Sequence, residues 1–454
     1  MGNRVPGMVP GKISGLFDPN LVESLVKAEG IPVENAKKVR EKYVTERNEV
    51  QTLQKLLSEL DVALNGLKSK ADFYKMKVES SHPDIIDGTV TGYAMPGSYE
   101  FEVRGLAKAE KELAYGFPDK DKTPVGFGYM LIEREDMDDS FEIVVEPGAT
   151  LKDVANQIND AGAGVRAMII NTKYKPDSYR LLVISEKSGN EARVYVDEDT
   201  TFLEFKEQVT GRNLDVLFED VPVTDEDNNL EELIDGVVFN IKRSEPGTRV
   251  QVSIVYDIDK TLEAIKKFVE KYNATIEFVG KQIAIDPNTG KAGILAADST
   301  IRAVQRGLQS AIGNALNYNG KYSTLAEVGI TTDPKTGKLN LDEAKVRGCL
   351  ADSYDSVASL FIRSDKTMGF AETMAERLKE LRDNQFGAVK GRLREMDSKI
   401  KNQDQIIERK ERDLEKREDA IRRRFINLES QLSSLKSQGD FLSSKLGGSG
   451  GAGG

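Results

Sequence analysis

Side chains able to do covalent or acid–base chemistry are scarce in this chain. His82 is its only histidine and Cys349 its only cysteine. A Ser/His/Asp relay would have to run through His82, and the His-Pro-Asp stretch that holds it reads as a turn between a helix and a strand. Cys349 lies within a capped helical segment, where a small buried apolar group is expected rather than a nucleophile. With one cysteine and one histidine, neither an intramolecular disulfide nor a zinc site of the usual kind can form. Gly2 and Gly7 are followed by Met8 and Val9 in place of the lysine and serine of a phosphate loop, and Gly126-Phe127-Gly128 lacks the third glycine of a dinucleotide fingerprint. Asp225, Asp227 and Asn229 open like a calcium loop, but its sixth position is Leu230 and its twelfth Gly236. The run Arg422 to Arg424 reads as a solvated helix face. No catalytic, cofactor or metal site is expected, and so no enzyme.

The balance of 64 basic against 75 acidic residues leaves a net charge of -11, which offers no field for nucleic acid or anionic lipid. A chain of 454 residues exceeds what one core organises, so several domains are expected. The first twenty residues carry Pro6 and Pro10 and no apolar stretch, unlike a Sec-type signal peptide, and Pro6 stands where a myristoylation signal has serine or threonine. No run reaches transmembrane length, so membrane insertion is not expected.

What the sequence offers instead of chemistry is apolar periodicity. Asp18 and Pro19 open a helix that Pro32 is expected to interrupt. A heptad then runs through Val39, Tyr43, Val50, Leu53, Leu57, Leu60 and Leu64, with Glu46 as its one polar step. Past Ser81 the period changes to two, with Tyr99, Phe101 and Val103 on one side of a strand, and strands dominate as far as Tyr256. Inside that block Thr150 and Asp153 form a capping box for a short helix bearing Leu151, Val154, Ala155 and Ile158. Two hairpins are expected, turning at Gly189-Asn190 and at Pro246-Gly247. Two acidic aperiodic loops, Glu133 to Ser140 and Val223 to Glu232, separate these runs, and a boundary between two sheet lobes is expected near one of them.

Helical spacing returns with Leu262, Ile265, Val269, Tyr272, Ile276 and Val279, then with Ile301, Val304, Leu308, Ile312 and Leu316. Asn340 and Glu343 are expected to cap a helix running toward Leu360, and the DPNTG and DPKTG runs at Asp286 and Asp333 read as tight turns. The last stripe passes through Leu393, Ile400, Ile407, Leu414, Ile421, Phe425, Leu428, Leu432, Leu435 and Leu442. It carries a stutter between Ile421 and Phe425, and polar Gln403, Lys410 and Arg417 at one seam position. About 75 residues at 1.5 Å each make roughly 110 Å, more than one compact domain covers, so part of this stripe is expected to meet other subunits.

The fold class expected is α+β and multidomain, with coiled-coil helices at both ends and a two-lobed β-rich insertion in a helical body. The boundaries expected are a flexible N-terminal segment at 1–38, a helical domain at 39–77 and 257–400, β-rich insertion at 78–256 with its second lobe at about 115–200, a coiled-coil segment at 401–446, and a glycine-rich tail at 447–454.

Several blocks in register carry a family resemblance. Ser14, Gly15 and Leu16 ahead of a Leu/Val helix are similar to the opening of the flagellar filament cap family, the hook-associated protein 2 family. MPGSYEFEVRGLAKAEK resembles its first strand and TLKDVANQINDAGAGVRAMIIN its inserted Ala/Asn helix. DIDKTLEAIKKFVEKYNATI, ILAADSTIRAVQRGL and LAEVGITTDPKTGKLNLDEAKVRGCLADSYDSVASLF follow in the family's order, ahead of a charged coiled coil and SQGDFLSSKL.

The resemblance implies a non-enzymatic protein exported through the flagellar type III system without a cleaved signal peptide. It implies a small homo-oligomeric ring at the filament tip that stops flagellin leaking and helps it fold and insert, as filament growth and motility require. Flagellin, hook-filament junction proteins and an export chaperone are the implied partners, and an adhesive role, thought to exist in some members, stays open. The rival readings are another flagellar axial or junction protein and a coiled-coil surface adhesin.

Overall fold

Long apolar heptads need a partner helix, and the first such stretch finds one in the last. The computed structural model describes residues 19–137, 139–285, 290–313, 320–362, 368–383, 385 and 387–447, the side chains of 19–21 and 445–447 excepted. Ser14, Gly15, Leu16, Leu316 and most of the DPNTG run therefore lie outside the described residues.

In chain order, α1 (Pro19–Leu64) and α2 (Lys70–Phe73) lead into strands β1 (Met76–Ser80), β2 (Ile86–Val90), β3 (Gly97–Gly105), β4 (Lys111–Phe117), β5 (Gly126–Arg134) and β6 (Phe141–Val145). After α3 (Leu151–Ala161) come β7 (Val165–Asn171), β8 (Tyr179–Ser185), β9 (Val194–Thr201), β10 (Lys206–Val209), β11 (Leu214–Phe218), β12 (Val221–Asp225), β13 (Asn229–Ile234), β14 (Val237–Ile241) and β15 (Arg249–Tyr256). The chain continues through α4 (Ile258–Ile283), α5 (Ser299–Gly313), β16 (Ile330–Thr332), β17 (Leu339–Leu341), α6 (Glu343–Asp352), α7 (Tyr354–Phe361), α8 (Phe370–Arg382) and α9 (Ala388–Gly447). Two compact units result, one from Lys70 to Thr261 and one from the residues on either side of it.

In the helical unit, α1 and α9 run antiparallel. Glu29, Lys37, Arg40 and Arg47 meet Arg417, Glu411, Asp404 and Asp397 in turn, so numbers rise along one helix as they fall along the other. Pro32 does not end α1 as expected but sits inside it. A proline there forfeits one backbone hydrogen bond at a cost of about 3 kcal/mol. Burial of Val33 and Ala36 just beyond it offsets that cost. Leu262, Ile265, Val269, Tyr272, Ile276 and Val279 of α4 are all buried, as are Ile301, Val304 and Leu308 of α5.

The helix expected from Asn340 to Leu360 is two helices, α6 and α7, parted at Ser353. Asp342, not Asn340, caps the first by accepting from the Lys345 amide at 3.0 Å. Asn340 belongs to β17. The turn at Asp333 closes through its carboxylate, which accepts from the Lys335 and Thr336 amides, while Gly337 takes a φ of 72°.

The β-rich unit holds two cores. Sheet β1-β15-β3-β11-β12 and sheet β13-β14-β2 enclose one, with Phe101 5.0 Å from both Phe218 and Phe239 between ring centroids. Sheets β10-β4-β8-β7 and β6-β5-β9 enclose the other together with α3, whose Leu151, Val154, Ala155 and Ile158 are buried behind the Thr150–Asp153 capping box. Asn159 of α3 bonds both the amide and the carbonyl of Ala167 on β7, which occupies polar groups on a sheet edge.

Neither expected hairpin forms. β8 and β9 flank Gly189 yet lie in different sheets, and β14 and β15 flank Gly247 in the same way. Gly189 (φ 102°) and Gly247 (φ 86°) do make turns, but these carry the chain from one layer to the next. β15 pairs instead with β1 and β3, whose apolar residues match its own alternation.

Glu112 on β4 is 9% exposed and shares the core side of its strand with Ala114. Burial, then the neighbouring Glu110 and Glu207, push its carboxyl up to about 7. The folded chain thus keeps a proton that the unfolded chain releases near 4.5, so this unit loses stability as pH rises from about 4.5 to 7 and stays at the lower level above. Calorimetry of the full chain at pH 5 and pH 8 should show this unit melting lower at pH 8. Glu112→Gln should abolish that difference and stabilise the unit at pH 8 by on the order of 2 kcal/mol.

Candidate functional site: the paired terminal helices

The apolar stripe of α1 is fully buried along its second half: Val50, Leu53, Leu57, Leu60 and Leu64 have no exposed surface. Tyr43 is half-buried, with the Lys399 ammonium 5.9 Å from its ring centroid. Val39, expected at the seam, is 40% exposed. Ala36 is buried in its place, and Arg40 beside it reaches Asp404 at 2.5 Å along the exposed edge of the pair.

On α9, Leu393 and Ile407 are buried, while Ile400, Leu414, Ile421, Phe425 and Leu432 are half-buried. Leu428, Leu435 and Leu442 are 41%, 62% and 57% exposed. These three are spaced by sevens on the part of α9 that extends past the partners of the first described turns of α1. An apolar position repeating every seven residues and open to solvent is a seam prepared for another helix.

Two of the three polar residues that thin the stripe are used across the pair. Gln403 donates to the Ala36 carbonyl at 3.0 Å, and Arg417 meets Glu29 at 2.7 Å. Arg40 and Arg47 bond Asp404 and Asp397 at 2.5 and 2.6 Å. Periodicity of apolar residues alone misses these partners. Their signal is the sevenfold spacing of acids at 397, 404 and 411 opposite bases at 40 and 47.

A buried hub fixes the register further in. Arg392 of α9 reaches Asp298 at 2.6 Å, Glu395 at 2.7 Å and Glu46 of α1 at 4.0 Å. Asp298 also accepts from the Thr300 amide at the start of α5. Burial opposes the charge on Arg392, but Glu395 and Asp298 outweigh it and raise its pKa. Glu46, the polar step in the α1 heptad, is thus one of the carboxylates around this guanidinium.

His82 belongs to the β-rich unit, with Nδ1 3.0 Å from the Ser81 hydroxyl. Cys349 is buried. Among the described residues no group of three or more His, Cys, Asp and Glu is placed to hold a metal ion, and no helix is long and apolar enough to cross a membrane.

This arrangement of paired ends around an inserted β-rich unit has known counterparts. The family model described as flagellar hook-associated protein 2 C-terminus matches residues 211–437, half of the chain, and the model for its N-terminus matches residues 14–110. The chain belongs to the flagellar hook-associated protein 2 family. Its relatives include the B-type flagellar hook-associated protein 2 of Pseudomonas aeruginosa, 27% identical over 397 residues that cover 81% of this chain and 82% of that one. The flagellar hook-associated protein 2 of Escherichia coli K12 is 25% identical, covering 80% and 82%. Among solved structures, the D1-D2-D3 domains of the flagellar cap protein FliD from E. coli superpose with a TM-score of 0.59 at 25% identity, over 76% of this chain and 99% of that one. The matched regions of this chain include α1 and most of α9.

Removing the Arg392 guanidinium leaves Asp298, whose side chain is 4% exposed, buried without its charge partner. Arg392→Ala should therefore destabilise the helical unit by about 3 kcal/mol in urea unfolding, with the β-rich unit unaffected. Arg392→Ala combined with Asp298→Asn should recover part of that loss.

Proposed function

We propose that the chain forms an oligomeric cap at the distal tip of the flagellar filament and acts there without catalysis. It holds back exported flagellin and helps each subunit fold and insert. Residues 1–38 and 401–446 serve as leg segments, 39–77 and 257–400 as the helical leg domain, and 78–256 as the β-rich body. Export through the flagellar type III system, helped by a chaperone, and contact with hook-filament junction proteins belong to the same reading.

The observation that carries it is the exposed sevenfold stripe of Leu428, Leu435 and Leu442 on α9, in a chain of the hook-associated protein 2 family. A leg must release and rebind as each flagellin is added, so its apolar seam has to be available rather than sealed within its own subunit. Each leucine contributes about 2 kcal/mol when buried against a partner, enough for several legs to hold a tip together and weak enough for one to let go.

Deleting the gene in its host should remove filaments seen by electron microscopy and leave monomeric flagellin in the medium. Restoring it with Leu428, Leu432 and Leu435 all changed to Glu should reproduce that phenotype while the purified protein keeps the β-sheet circular dichroism of the wild type. Normal filaments and a clean medium with this variant would contradict the leg assignment.

A further inference from the structure

The lobe built around α3 carries two outer sheet faces of opposite charge. On sheet β6-β5-β9, register places Val144, Tyr129 and Asp199 in one row, Glu142, Leu131 and Asp197 in the next, and Glu133 beside Tyr195. Met130 and Ile132, between them along β5, are fully buried, so these rows form the outward face. Val144, Tyr129 and Tyr195 are 46–54% exposed. The face is an apolar strip rimmed by the carboxylates of Glu133, Glu142, Asp197 and Asp199.

On sheet β10-β4-β8-β7, one outward row runs Lys206, Leu113, Leu182, Met168, the next joins Lys111, Ile184 and Arg166, and Arg180 lies beside Ile170. Val165, Ala167, Leu181 and Val183 point into the core on the same strands. This face too is an apolar strip, and its rim is basic. None of the eight rim charges forms an ion pair among the described residues; the Lys206 ammonium donates to the neutral Tyr115 hydroxyl at 3.0 Å. Charges of the other lobe, by contrast, are engaged: Arg249 with Glu100 and Asp220, Lys242 with Asp87.

We propose that a second copy of this chain docks here, the acid-rimmed face of one lobe against the base-rimmed face of the next. The proposal rests on the oligomeric cap reading and adds a surface to it. Matching four unpaired carboxylates to four unpaired bases around two apolar strips selects a head-to-tail contact, the kind that closes into a ring when its rotation permits. Strands about 4.8 Å apart and residues about 3.3 Å apart give a face of roughly 400 Å². That is half of the ~800 Å² per partner in a stable complex. The contact is therefore a weak joint that holds when the same copies also touch elsewhere, and salt weakens it.

The test is sedimentation velocity of the full chain at low salt. Changing Glu133, Glu142, Asp197 and Asp199 all to Lys makes both faces basic, and changing Lys111, Arg166, Arg180 and Lys206 all to Glu makes both acidic. Wild type should assemble, each variant alone should associate at least tenfold more weakly, and an equimolar mixture of the two should recover assembly. That recovery also shows that both variants fold. Variants that assemble as wild type does, or a mixture that fails to recover, would overturn the face pairing while the deletion phenotype still decides the cap. A wild-type chain that stays monomeric would overturn the docking proposal itself.

Discussion

The antiparallel packing of α1 on α9 is the constraint on which the rest depends, because it joins segments separated by more than three hundred residues. Closing so long a loop costs on the order of 5 kcal/mol in chain entropy. Burial of Val50, Leu53, Leu57, Leu60 and Leu64 within the helical unit supplies far more than that. Once the ends are paired, α4, α5 and α8 have a surface to bury against. The β-rich unit, with two cores of its own, can then be carried as an insertion.

Leucines alone would not choose this register, since a seam of identical side chains slides by a heptad at little cost. The polar members set it. Arg40 and Arg47 meet acids at a matching sevenfold interval, Lys37 meets Glu411 one turn further on, Gln403 seeks a backbone carbonyl, and Arg392 gathers carboxylates from three places in the chain. Exposed pairs of this kind contribute only about 0–1 kcal/mol each. Mispairing them places like charges together, and mispairing Arg392 buries a lone charge. Toward the end of α9 both kinds of constraint fade, and the apolar positions open to solvent. The helix is thus fixed where it forms the subunit and available where it can join others.

Much of this was legible in the residues themselves. The heptads of α4 and α5, the capping box of α3 and the alternation in β3 are local patterns, and each appears where the spacing puts it. The failures share one cause, which is that local signals do not name distant partners. Gly189 and Gly247 turn the chain, but whether flanking strands pair depends on β1, β3, β4 and β5 far away in sequence. Pro32 is tolerated because α9 supports the helix around it, and Val39 is left exposed while Ala36 before it and Val50 after it are buried. The coupled charges around Arg392 were invisible for the same reason: Asp298, Glu46 and Glu395 become one group only after three elements meet.

The pairing of the chain ends can be measured directly. With Cys349→Ser to remove the native thiol, spin labels at Lys38→Cys on α1 and Asn402→Cys on α9 report their separation by pulsed electron resonance in the full chain. Packed helices lie about 8–10 Å apart axis to axis, and each residue of offset adds about 1.5 Å. A narrow distribution centred near roughly 20 Å is what antiparallel packing requires. A broad distribution, or one centred beyond roughly 40 Å, would mean that the ends do not pair within a subunit, and the structural account would fail at its foundation.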